Sequence, residues 1–306
     1  MKNKEEKTIE LINQLPQTNS ICTYGSGFFT QNDNAKKKDM DLIISVDNPN
    51  QWHMENYLKN PYMYKNAGIN ALLNHSIDET FPNSLGAFFT EFEGENYKLI
   101  VVDKRLLYND LKTWQHFSLP GRFQKPMKII VDNTDGTLQK LMNDNYENAI
   151  KTVLLMRNDL PFSKTTLYED ITDLSYKGDL RTLTHFENSE KTKNIVHGSY
   201  DFFEQTYGNS DLYDYLGDYI MRKEDIDNTE IIDTLPKALK NYLLENASYK
   251  MLRNNKITTI KINNFLLKRN FHDSIQMALR CHQTVGLEKT LSTIKDKASK
   301  GLIKRK

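Results

Sequence analysis

Two short stretches carry residue types suited to phosphate chemistry. Gly25-Ser26-Gly27 offers backbone N–H groups that can approach a polyphosphate closely, because glycine tolerates both the contact and the dihedral angles it needs. Ser26 adds a hydroxyl donor. Further on, Asp39-Met40-Asp41-Leu42 opens an apolar run with two aspartates that share one face of a strand. Carboxylates so placed repel each other unless a cation intervenes. Magnesium, or manganese in its place, is the hard ion that takes carboxylate and phosphate oxygens together while keeping water. Such a centre neutralises a triphosphate and favours pyrophosphate as leaving group. Either stretch alone is a commonplace turn or a pair of solvated acids; the combination at this spacing points to metal-assisted transfer.

The surrounding pattern predicts the elements that hold these residues. Ile9, Leu11, Ile12 and Leu15 recur at helical spacing up to Pro16, and Ile21-Cys22-Thr23-Tyr24 reads as a strand running into Gly25. Met40 to Val46 is a second strand, closed by Asp47-Asn48-Pro49. Trp52 to Leu58 forms a short helix stopped at Asn60-Pro61, and Tyr97 to Val102 is a further strand with Asp103 at its end. Strand placement makes Asp103 a candidate third acid. Phe28 and Phe29 are expected to begin a helix whose N-terminus faces the phosphates. From Gly136 the texture turns helical through Leu138, Leu141, Tyr146, Ile150, Val153 and Leu154, broken at Leu160-Pro161-Phe162. Ser163 is placed to cap a helix carrying Leu167, Tyr168, Ile171 and Leu174, which suits a helix-turn-helix or winged-helix layout. The polar stretch from Asp225 to Glu230 is read as a separator before the C-terminal helices.

Composition excludes several classes. With 41 basic and 40 acidic side chains and a net charge of +1, the chain does not bind nucleic acid through its overall field. Cys22 and Cys281, far apart and without ligand partners, support neither a disulfide framework nor a zinc site. No run approaches the roughly 20 apolar residues that a spanning helix needs. The Lys/Glu-rich opening reads as a helix and not as a transit peptide, which leads us to expect an intracellular protein, peripheral on the cytoplasmic face of a bacterial membrane rather than in a mitochondrial matrix.

The Tyr24-Gly25-Ser26 and Asp39-Met40-Asp41-Leu42 pair resembles the signature of the polymerase-beta-like nucleotidyltransferases. A closer resemblance covers most of the chain. Tyr24 to Phe29, Asp41-Leu42-Ile43, Asp47-Asn48-Pro49, Trp52-His53, Asn60-Pro61, Leu119-Pro120-Gly121-Arg122-Phe123-Gln124-Lys125-Pro126 and Leu174-Ser175-Tyr176-Lys177-Gly178-Asp179-Leu180-Arg181 are similar to the mitochondrial-type CDP-diacylglycerol synthases of the translocator assembly and maintenance family. Glu187-Asn188, Lys191 and Asn194-Ile195-Val196 continue the series. The resemblance implies an α/β (α+β) chain with three parts: a nucleotidyltransferase domain with a mixed sheet over 1–135, a mainly helical, winged-helix-like domain over 136–230, and a C-terminal helical region over 231–306. It implies magnesium-dependent cytidylyl transfer from CTP to phosphatidic acid, giving CDP-diacylglycerol and pyrophosphate. Lys98, Arg122, Lys125, Arg181 and Lys191 then bind phosphates beside Gly25, Ser26 and Gly27; Asp39 and Asp41 hold the metal; and Asp179, after Gly178, joins them as a catalytic acid. The alternative is nucleotide transfer to a hydroxyl of a small molecule, protein or RNA, which demands a stronger base.

A lipid substrate calls for a membrane-facing segment. Leu287, Leu291, Ile294, Ala298 and Leu302 share one helical face, amid Lys289, Lys295, Lys297, Lys300, Lys304, Arg305 and Lys306. This tail is expected to lie on an anionic lipid surface.

Overall fold

The computed structural model describes residues 3–29, 39–65, 87–157, 161–183, 190–223, 227–245 and 247–303, with side chains up to residue 279. Glu187-Asn188 and the side chains of the basic tail lie outside the described residues. In chain order the elements are α1 (Lys4–Gln14), β1 (Ser20–Tyr24), β2 (Met40–Val46), α2 (Pro49–Lys59), a 3-10 turn (Pro61–Tyr64), β3 (Ala87–Phe92), β4 (Glu95–Asp103) and α3 (Lys104–Thr113). They continue with α4 (Pro120–Phe123), β5 (Met127–Asp132), α5 (Thr137–Met156), β6 (Phe162–Ser163), α6 (Lys164–Asp173), α7 (Leu180–Leu183), α8 (Lys191–Gly198) and α9 (Tyr200–Tyr207). The last are β7 (Tyr213–Leu216), β8 (Tyr219–Arg222), α10 (Asn228–Thr234), α11 (Lys237–Glu245), α12 (Tyr249–Leu252) and α13 (Asn255–Ile303). The chain is a mixed α/β protein, and among the described residues no helix is long and apolar enough to cross a membrane.

Chain contacts divide it into two units, 1–107 with 127–136 and 274–306, and 108–126 with 137–273. They differ from the expected parts: 108–126 groups with the helices, 274–306 groups with the sheet, and no division falls at 230. The polar stretch read as a separator instead starts a helix, because the Asp227 side chain accepts the Thr229 N–H and caps α10.

The first unit is built on a five-stranded sheet in the order β3-β4-β2-β1-β5, with β2 and β4 parallel and the other pairs antiparallel. Strand alternation decides what β2 buries. Met40, Leu42, Ile44 and Val46 point into a core with Leu11, Ile21, Trp52, Phe88, Leu99 and Val101, leaving Asp41 on the other face. Helix α1 is started by a capping box, with Asn3 accepting from Glu6 N–H and Glu6 accepting from Asn3 N–H.

In the second unit Ser163 accepts the Thr166 N–H and caps α6, as its position predicts. The β7–β8 hairpin pairs with β6 to form a small three-stranded antiparallel sheet in the order β6-β8-β7. Its core includes Tyr168, Phe203 and Tyr207, whose rings pack together.

Candidate functional site

Strand register assembles an acidic cluster in the first unit. Tyr24 on β1 stands opposite Asp41 on β2, and Asp41 opposite Lys98 on β4. Met127 and Phe89 extend the row across all five strands. Residues so paired share a face, and Lys98 Nζ lies 3.7 Å from Asp41 Oδ1. β1 ends at Tyr24, and Gly25 turns the chain back with φ +76°, a conformation that costs any residue with a side chain. A Cβ there would sit 2.6 Å from Asp41 Oδ2, and one on Gly27 would collide with the Asp39 carbonyl oxygen. The turn is thus pressed against the aspartates, which explains why both positions are glycine.

Phe28 and Phe29 do not begin a helix within the described residues. Their N–H groups both reach the Gly25 carbonyl and close a single turn, which ends at Phe29. The Tyr24 hydroxyl, which the sequence reading passed over, is buried without a hydrogen-bond partner among the described residues.

Asp39, exposed, and Asp41, half-buried, are hard oxygen donors two residues apart on one edge of this turn. Among the described residues no group of three or more His, Cys, Asp or Glu side chains gathers to hold a metal ion. Asp39 and Asp41 would supply hard carboxylate oxygens to such an ion, with room for the phosphate and water that magnesium takes beside carboxylates. The donor set fits that ion.

Asp103 does not belong to this end of the sheet. It lies five residues beyond Lys98 on β4, opposite Val46, which is about 16 Å at the strand rise. Its carboxylate accepts the Arg105 N–H and pairs with the Arg105 guanidinium at 2.8 Å.

The second unit gathers the other cations. Lys125 Nζ donates to Ser175 Oγ at 2.8 Å and lies 4.7 Å from the centre of the Tyr176 ring. Burial, with the positive charges of Arg122, Arg181 and Lys191, pulls its ammonium down to about 7, with Asp179 the one group opposing. Arg122 is fixed by its own loop, Nη1 donating to both the carbonyl and Oγ of Ser118 at 2.5 Å. Asp179 accepts from the Arg181 N–H, Nε and Nη2 at 2.8, 3.0 and 2.8 Å. Burial raises that carboxyl, but the Arg181 bonds and charge outweigh it and hold the group below the usual carboxylate range. A carboxylate so held is a weak base; its visible role is to aim Arg181. Four cations around one acid form a site that an anion neutralises.

The comparisons with known proteins agree with this chemistry. A family profile described as "Phosphatidate cytidylyltransferase, mitochondrial" matches residues 8–305. Relatives of that name are 35% identical over 212 residues in Schizosaccharomyces pombe, covering 66% of this chain and 52% of the relative, and 31% identical over 208 residues in Homo sapiens, covering 65% and 45%. The Saccharomyces cerevisiae relative is 31% identical over 194 residues, covering 61% and 50%. The chain thus spans about half the length of these curated relatives. A solved nucleotidyltransferase-like protein from Exiguobacterium sibiricum superposes over 92% of this chain and 78% of its own at 10% identity, with a TM-score of 0.28, too loose a match to bear on the fold. The mitochondrial name carried by the family and these relatives overturns the expected bacterial cytoplasmic location. That expectation rested on the residues that open the sequence, which say nothing of the compartment in which the family works. By the match over residues 8–305, the chain belongs to the mitochondrial phosphatidate cytidylyltransferase family.

Proposed function

We propose that the protein transfers a cytidylyl group from CTP to phosphatidic acid, giving CDP-diacylglycerol and pyrophosphate, in a mitochondrial setting and at a lipid surface that its basic tail contacts. The observation that carries the reading is the Gly25 turn packed against Asp41, with Lys98 Nζ 3.7 Å from the same carboxylate, so that a glycine backbone, an acid and a cation meet at one end of the sheet. Asp39 and Asp41 would hold magnesium, which neutralises triphosphate charge and sharpens the α-phosphorus as an electrophile when bound. The Gly25-Ser26-Gly27 backbone and Lys98 orient the triphosphate. Arg122, Lys125, Arg181 and Lys191 bind substrate phosphate, with Asp179 steering Arg181.

A phosphate oxygen of phosphatidate attacks the α-phosphorus, the bond from that phosphorus to the bridging oxygen breaks, and pyrophosphate leaves with the electron pair. The nucleophile is already anionic, since a phosphate monoester has its second pKa near ~6. Positioning and charge neutralisation then supply the catalysis. The absence of a raised carboxyl at Asp179 supports a phosphate acceptor over a hydroxyl one, which would need a base.

The test is incubation with magnesium, labelled CTP and vesicles containing phosphatidate, following lipid-linked label and released pyrophosphate. Asp39→Asn and Asp41→Asn should each remove turnover while the protein stays folded. Unlabelled lipid from folded wild-type protein would sink the reading, and active aspartate variants would sink the metal assignment.

A further inference from the structure

Two stretches, 117–125 and 174–181, carry three of the second unit's four cations, Arg122, Lys125 and Arg181, and both make buried polar contacts with one helix. On α13, Asn270 and Asp273 are buried and three residues apart, which puts them on one face. Asp273 Oδ2 accepts the N–H of Phe117 at 2.7 Å and of Ser118 at 2.9 Å. Ser118 is the residue whose carbonyl and hydroxyl take the Arg122 guanidinium, so it links the helix to that cation. Asn270 Nδ2 donates to the carbonyls of Leu174 and Lys177, both at 2.8 Å, bracketing the Ser175 and Tyr176 that receive Lys125.

One turn earlier on the helix, Leu267 backs the same loop. Gly178 has φ +80°, and a Cβ there would lie 2.5 Å from the Leu267 carbonyl oxygen. The glycine therefore serves the approach of loop to helix. Asp179 follows it and holds Arg181.

We propose that Asn270 and Asp273 are positioning residues for phosphate binding, setting from one helix face the spacing of the two cation-bearing loops. The proposal rests on the reading of those cations as a phosphate site. Like charges gathered without an anion push their loops apart, and a phosphate held by several donors requires their placement within about 0.5 Å. Charge-assisted bonds from Asp273 and the double donation from Asn270 resist that spreading.

The experiment is calorimetric titration of the full chain with inorganic phosphate, the simplest stand-in for the substrate phosphate assigned to these cations, with Tm recorded for each variant. Asn270→Ala should weaken binding on the order of tenfold or more, the scale of a small misplacement. Asp273→Asn, which keeps a carbonyl oxygen for the two N–H groups that Oδ2 accepts but loses the charge that strengthens those bonds, should lose less than Asp273→Ala; if the alanine variant does not fold, the asparagine variant and Asn270→Ala decide. Thr259→Ala, which removes a bond from the same helix to the Met156 carbonyl, is the stability control and should bind as wild type. Equal weakening in Thr259→Ala for an equal drop in Tm would overturn the positioning role. So would wild-type binding in both Asn270→Ala and Asp273→Asn while Arg122→Ala binds poorly. If Arg122→Ala itself binds as wild type, the phosphate reading fails instead.

Discussion

Replacing Lys125 by methionine should make the free protein more stable at pH 6 while removing its response to phosphate. In the folded chain the ammonium is pulled from 10.5 to about 7. At ~1.4 kcal/mol per pH unit, that displacement is an upper bound of about 5 kcal/mol against the charged form. Partial exposure of the side chain roughly halves it. Loss of the Ser175 hydrogen bond and the Tyr176 ring contact each return about 1 kcal/mol, so the net gain at pH 6 is on the order of 1 kcal/mol.

The pH dependence is the sharper readout. Below about pH 7 both folded and unfolded lysine are protonated and the cost is fully present. Above it the folded group sheds its proton while the unfolded one keeps it up to 10.5, so stability rises with pH across that window. From pH 7 to 9 wild type should gain on the order of 1 kcal/mol over the variant, with the same halving for exposure applied. Urea unfolding of both proteins at pH 6, 7, 8 and 9, with and without inorganic phosphate, measures it. Identical pH slopes, or a variant less stable than wild type at pH 6, would refute the placement of Lys125 as a buried cation among cations.

Gly25→Ala should cost about 2 kcal/mol or more in unfolding free energy, the left-handed penalty plus the push on Asp41, and should abolish CTP binding measured by calorimetric titration with the nucleotide; full binding would show that the turn yields. Tyr24→Phe removes a buried hydroxyl without a partner among the described residues and should leave the protein as stable as wild type or up to about 1 kcal/mol more stable in urea. A clear loss would mean that the hydroxyl has a partner. Burial pushes the Cys22 thiol up to about 12, so at pH 8 mass spectrometry should find it unalkylated until the protein unfolds. Labelling at the rate of a free cysteine would contradict its burial.

The acidic cluster of the first unit was legible because its parts are close in sequence and obey strand alternation: Asp39 and Asp41 flank Met40, whose burial orients both. Lys98 carried no such local signal. Only the parallel pairing of β2 with β4 puts it beside Asp41. Asp103 was misread for the same reason, since a residue at a strand end is near a site only if the site is at that end. Arg122, Lys125, Arg181 and Lys191 were picked from resemblance, and their mutual influence on Lys125 is a fact of packing that no spacing encodes. Asn270 and Asp273 were invisible. They act on loops about 90 and 155 residues away, as neighbours formed only by tertiary contact.

The alternation along β2 has one more effect, on which misfolded forms this protein can adopt. Leu42 and Ile44 face the core while Asp41 faces the site, so sliding the strand by a single residue would drive the Asp41 carboxylate into the apolar layer. Such a conformer is too unstable to persist. Any molecule that completes its interior has thereby set its acid beside Lys98, and a pool of correctly collapsed but misregistered, inactive copies cannot accumulate.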